Sequence, residues 1–160
     1  MDKPAMERMI RLHANRMLRP RELSSGAKRG LSNYFSFEHG ARPAWWHDDM
    51  LEPQGQILGI LELRAGRSEN AIVFTTQELV SLGEVRTRVA YECIFKFDQF
   101  EKEPMSEELI VHLRDGGEAR IPVPGRTGVI ASVLSFGIYA LREAKKMRGE
   151  FVQGGDQGRD

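Results

Sequence analysis

Two hydrophobic periodicities divide the chain. Between residues 5 and 18, Met6, Met9, Ile10, His13 and Met17 recur every three or four positions. That spacing places them on one face of a helix running from about Ala5 to Leu18. Arg8, Arg11, Arg16 and Arg19 fall mostly elsewhere. Pro20 ends the pattern, because proline cannot continue the helical hydrogen-bond ladder. Leu23 to Leu31 predicts a short second helix, interrupted by the turn signal Ser24-Ser25-Gly26. Residues 32–54 are irregular and rich in aromatics, with Tyr34, Phe35, Phe37, Trp45 and Trp46. His47 to Glu52 reads as one or two helical turns closed by Pro53 and Gly55.

From Gln56 the period becomes two, the signature of strands. Ile57 to Leu63 predicts a first strand, and Ala65 to Asn70 a polar loop. Ala71 to Thr75 and Glu78 to Leu82 predict two further strands joined by a tight connection. Val85, Thr87, Val89 and Tyr91 alternate with Arg86, Arg88 and Ala90 and predict a half-buried strand. Ile94, Phe95, Phe97 and Phe100 extend it or form another. Leu109 to Leu113 and Ala119 to Val123 predict a hairpin about Asp115-Gly116-Gly117, residues that accept positive φ. Pro122 marks an edge or a strand end, since it cannot donate a ladder hydrogen bond. A long helix from about Arg126 to Met147 closes the pattern. Its apolar stripe is Val129, Ile130, Val133, Leu134, Ile138, Leu141 and Ala144, and Gly149 stops it. The Gly-rich polar stretch from 149 to 160 predicts a disordered tail.

Composition adds bounds. The chain has 160 residues, 41% hydrophobic and 29% charged, which suits one ordinary globular core. The lone Cys93 excludes an internal disulfide and a cysteine-rich zinc site. Its apolar neighbours predict a buried, inert thiol, and a lone thiol suits a reducing compartment. No apolar export core and no apolar run of membrane-spanning length occur, so a cytoplasmic protein is expected. Net charge is zero but unevenly spread. Residues 1–30 hold eight Lys and Arg against three acids, and residues 31–160 hold fifteen against twenty. The basic first segment has no interleaved aromatics, so it gives little support to nucleic-acid binding.

Residues 56–148 resemble the pleckstrin-homology-like fold, in particular its bacterial versions. Three stretches carry the resemblance: Ala71 to Leu79, the hairpin Glu108 to Pro122, and the final helix. The resemblance implies an α+β fold, a bent β-barrel or sandwich of about seven antiparallel strands with one end plugged by the helix. Residues 1–55 then form an N-terminal helical extension packed on that domain. The family binds lipids, peptides or protein surfaces, and fold alone does not choose among them. Lipid headgroups in many members meet a basic loop after the first strand, which here offers Arg64 and Arg67 against Glu69.

The chemistry-bearing residues are few. His39, His47, Asp48 and Asp49 are the nearest approach to a metal cluster, and a metal-dependent enzyme would need them to converge. Their spacing matches no standard ligand pattern, and Asp48 or Asp49 is accounted for as a helix cap. No nucleophile elbow, phosphate-binding glycine loop or dinucleotide fingerprint occurs. No cofactor is expected. Glu101, Glu103, Glu107 and Glu108 form an acidic patch that suits a basic partner. Trp45 and Trp46 are candidate partner anchors, since tryptophan is enriched at binding hot spots. The expectation is a non-enzymatic protein-binding or adaptor domain, with an immunity or inhibitor protein for a toxin as one concrete form. Self-association through the edge near Pro122 and anionic lipid binding through Arg64 and Arg67 are alternatives.

Overall fold

The computed structural model describes residues 2–18, 33–99, 107–123 and 127–150. The expected second helix, Leu23 to Leu31, lies outside the described residues, as do Phe100, Glu101, Glu103 and the tail from 151. The fold is α+β: two antiparallel sheets, one helix at each end of the sequence, and no closed barrel.

Helix α1 spans Lys3–Met17. Asp2 caps it, its carboxylate accepting the Ala5 N–H at 2.9 Å, and Pro4 sits in the first turn, where no helical donor is lost. Strands β1 (Tyr34–Ser36), β2 (Ile57–Leu61), β3 (Ile72–Thr75), β4 (Glu78–Ser81) and β5 (Thr87–Ala90) form the first sheet in chain order. Strands β6 (Ile94–Phe97), β7 (Glu108–Leu113) and β8 (Glu118–Pro122) form the second. Helix α2 spans Thr127–Met147 and stops as expected at Gly149, whose φ of 78° suits glycine alone. The expected hairpin is β7–β8, with Gly116 at φ 93° in its turn. Pro122 lies on β8, an edge of the second sheet.

The first sheet is buried on both faces. The run Ala71-Ile72-Val73-Phe74 alternates between two cores, as pleating requires. Ile72 and Phe74 join the main core with Leu79, Val89, Met6, Ile10 and the inner residues of α2. Ala71 and Val73 join a second core with Ile60, Val80, Leu51 and Trp46. Residues 37–53 supply the cover for that second core. The first 55 residues are therefore not only a helical addition: β1 extends the sheet by pairing with β2, and the stretch after it shields the outer face.

The second sheet is buried on one face only. Leu109, Val111 and Ile121 point inward, while Arg120 and Glu118 are exposed and ion-paired. Two sequence expectations change at the seam between sheets. Val85 is 81% exposed and precedes the strand, and Tyr91 sits in a short 3-10 turn after it, so the half-buried strand shrinks to Thr87–Ala90. Tyr91 is instead a corner post. Its hydroxyl lies 2.7 Å from the Thr75 carbonyl and 3.0 Å from that of Glu78, and its ring meets Phe136 of α2 edge-on.

Helix α1 lies along α2. Met6, Ile10, Ala14 and Leu18 enter the main core. His13 is buried 3.1 Å from Glu143 and stacks against Tyr139. Lys146 stands 3.8 Å from the same carboxylate.

Candidate functional site

The tryptophan pair serves the second core. Trp46 is only 8% exposed and donates its indole N–H to Asp48 at 3.0 Å. Trp45 is half-buried and donates to the buried Glu62 at 2.6 Å. Glu62 also accepts the Gly66 N–H at 2.9 Å, which ties the β2–β3 loop to the same carboxylate. The pair meets edge-to-face, 6.2 Å between rings, an arrangement that suits the aromatic quadrupole.

The remaining sequence candidates do not converge. His39 hydrogen-bonds Ser36 at 2.8 Å, Asp48 holds the Trp46 indole, and Asp49 and His47 are exposed. Among the described residues no three His, Cys, Asp or Glu side chains are placed to share a metal ion. Arg67 pairs with Glu69 at 3.3 Å on the β2–β3 loop, and Arg64 is exposed beside it. Glu107 is exposed, and Glu108 pairs with Arg120 at 3.0 Å. Glu108 and Glu118 together hold the Arg120 guanidinium above its ordinary range, the Glu108 hydrogen bond most strongly. His112 is half-buried and hydrogen-bonds Asp98 at 2.7 Å.

Cys93 is exposed, not buried. The apolar run around it bends at the seam, so the two-residue alternation that would have hidden it is broken by the 3-10 turn Tyr91–Cys93. It lines an open groove of about 820 Å³ with Gln54, Glu78, Arg88, Leu113 and Arg114. Glu78 is buried there and holds Arg88 through two bonds, 2.6 and 3.1 Å. That pairing keeps the Arg88 guanidinium above its ordinary range, the Glu78 hydrogen bond being the main cause. Glu78 also accepts the Gln54 N–H at 2.8 Å, and Arg88 donates to the Glu52 carbonyl at 2.9 Å. The groove floor is thus a pinned network. Arg114 pairs with Glu150 at 3.4 Å across the end of α2. Hydrogen bonding from Arg148, then the charges of Arg148 and Arg114, holds the Glu150 carboxyl below its usual range.

Glu92 and Cys93, which line the groove, immediately precede β6. Among the described strands β6 pairs with β7 alone, so its other edge has no strand neighbour there. Phe95 stands on it 58% exposed. The strand runs along α2 in the opposite direction: Arg148 donates to the Glu92 carbonyl at 2.7 Å at its start, and the Phe97 ring lies on Gly137 at its end. Ile138, next to Gly137, is 43% exposed. Ile138, Arg142 and Lys145 follow at the spacing that shares one helix face. Glu143 stands about 140° round the helix from Ile138 and turns to α1.

Sequence reading missed Phe95, Ile138 and Cys93. A signal existed for two of them. Ile94-Phe95 is an apolar doublet in a strand, so one side chain must face outward. Phe136-Gly137-Ile138-Tyr139 is wider than one apolar stripe, so one flank must be uncovered.

No family model, no curated protein and no solved structure matches the chain. No helix among the described residues is long and apolar enough to cross a membrane.

Proposed function

We propose that the protein is a non-enzymatic binding domain that holds an extended segment of a partner protein along β6. The observation that carries this reading is the β6 edge that no described strand pairs, with Phe95 exposed on it and with Glu92 and Cys93, just before it, lining the 820 Å³ groove. A strand edge offers main-chain hydrogen bonds, and the groove offers side-chain pockets, the two ingredients of strand addition. The chain order supports a pleckstrin-homology-like architecture, with seven strands from Ile57 onward and one long helix packed against them. The dispersed His39, His47, Asp48 and Asp49 give no geometric support to the enzyme reading. The Arg67–Glu69 pair weakens the lipid-headgroup reading, since half the available charge is already offset.

The test is site-specific photocrosslinking. Benzoylphenylalanine at position 95 captures a defined protein in cells, whereas the same probe at Val85, more exposed but on the β4–β5 turn, does not. Capture of the same species from both positions, or of none from position 95, overturns the proposal.

A further inference from the structure

Resting on that strand-addition reading, we infer that Phe151 and Val152 of this same chain seat in the groove beside Cys93, so that a partner segment must displace them. Gly149, at φ 78°, turns the backbone at the end of α2, and the Glu150 N–H returns to the Lys145 carbonyl at 2.8 Å. That turn brings Glu150 to the groove. Its carboxylate meets Arg114, a lining residue, at 3.4 Å and Arg148 at 2.6 Å. Arg148 also donates to the Glu92 carbonyl at 2.7 Å, and the Arg114 N–H donates to the Cys93 carbonyl at 2.9 Å. Glu92 and Cys93 line the groove beside Arg114. Glu150 is therefore held there twice, through Arg114 after β7 and through Arg148 after α2.

The sequence supplies an occupant at that point. Phe151 and Val152, the first residues beyond those described, follow Glu150, and residues 153–160 hold only Gly, Gln, Asp and Arg. Consecutive Cα atoms stand about 3.8 Å apart, so both apolar side chains start within reach of the groove. Val89, Ala90 and Leu113 give it apolar lining, and its 820 Å³ falls in the range that encloses small ligands. Seating the two side chains there removes apolar surface from water. Tethering favours this occupant over a free one. Direct attachment to Glu150 sets an effective concentration on the order of 1 mM. A contact with a dissociation constant of about 0.1 mM is then made about nine-tenths of the time, and a partner's apparent affinity falls about tenfold.

Cys93 is the one cysteine of the chain and is exposed, so its rate of reaction with a chromogenic disulfide reagent reports on the groove. In the full chain it is expected to react about tenfold slower than in F151S/V152S, which keeps Glu150 and its ion pairs, or in a chain truncated after Glu150. Truncation after Val152 keeps the slow rate. Circular dichroism checks that each variant is folded. Equal rates in every variant overturn the inference and leave strand addition standing. A fast rate after truncation at Val152 moves the contact to residues 153–160 and overturns the assignment of Phe151 and Val152. A rate that rises on dilution, with a dimer by native mass, overturns it in favour of a second copy's residues. Capture from position 95 is expected to rise in F151S/V152S. Faster labelling with capture unchanged overturns the displacement. Faster labelling with no capture in either chain overturns strand addition and leaves the intramolecular contact standing.

Discussion

Phe97 of β6 lies flat on Gly137 of α2, so close that a Cβ at position 137 would come 2.6 Å from Phe97 Cζ and 3.2 Å from Cε2. This contact fixes the end of the candidate binding strand against the helix. Gly137 is in a helix interior, where alanine is normally better by about 1 kcal/mol. Here the ring must move first, and overpacking of that kind costs about 1–3 kcal/mol. Gly137→Ala is therefore expected to lower the urea midpoint instead of raising it. A stabilised variant would show that β6 yields freely.

The two buried tyrosines predict alkaline sensitivity. Burial raises the Tyr34 hydroxyl above its ordinary value of 10.0, with Glu38 adding to it, and burial raises Tyr91 likewise, with Glu78 adding. Their folded-state values exceed their unfolded ones, so the folded state holds more protons above pH 10. The stability tied to these hydroxyls is complete below pH 10 and is lost as pH rises past it, by up to about 1.4 kcal/mol per pH unit for each tyrosine. Urea midpoints measured from pH 8 to 11 are expected to be flat and then to fall. Tyr91→Phe should make the fall shallower; an unchanged slope would assign it to other groups.

His13 and Glu143 join α1 to α2 through a buried pair that is incompletely satisfied. His13 Nδ1 and Glu143 Oε1 have no hydrogen-bond partner. Removing one member leaves the other buried and unpaired, which costs about 3–5 kcal/mol. His13→Leu and Glu143→Leu are each expected to be strongly destabilising. The double variant should recover most of the loss, because an apolar pair of similar volume removes both desolvation costs. A double-mutant cycle by thermal melting gives the coupling, and additive losses would mean that the pair does not act as a unit.

Glu62 links the Trp45 indole to the β2–β3 loop, with bonds of 2.6 and 2.9 Å. Glu62→Ala leaves two donors without an acceptor, about 1–3 kcal/mol each when buried and less for half-buried groups. The expected outcome is a lower melting temperature with a red shift of tryptophan emission. Emission that stays unchanged would place the fluorescence, and the cover's order, with Trp46 alone.

Much of the fold was legible because it depends on local pattern. Helix α1 was read within two residues from the spacing of Met6, Ile10 and His13, and the β7–β8 hairpin from Asp115-Gly116-Gly117. What escaped depends on where the chain bends. Cys93 reads as buried by its neighbours, but the seam turns it outward. The sequence offers Trp45 and Trp46 as partner anchors, and the sheet face beneath them takes Trp46 into the second core with Trp45 packed against it.

By itself the sequence determined an α+β chain with its strands between two helices, because period 3.6 and period 2 are properties of consecutive residues. The tertiary structure alone decided that the sheets stay separate and that the first is covered on both faces. It alone decided that β6 has β7 as its one neighbour among the described strands, with Phe95 exposed. Sheet order and edge exposure arise from contacts between segments far apart in the chain, and no local spacing encodes which strand is left without a neighbour.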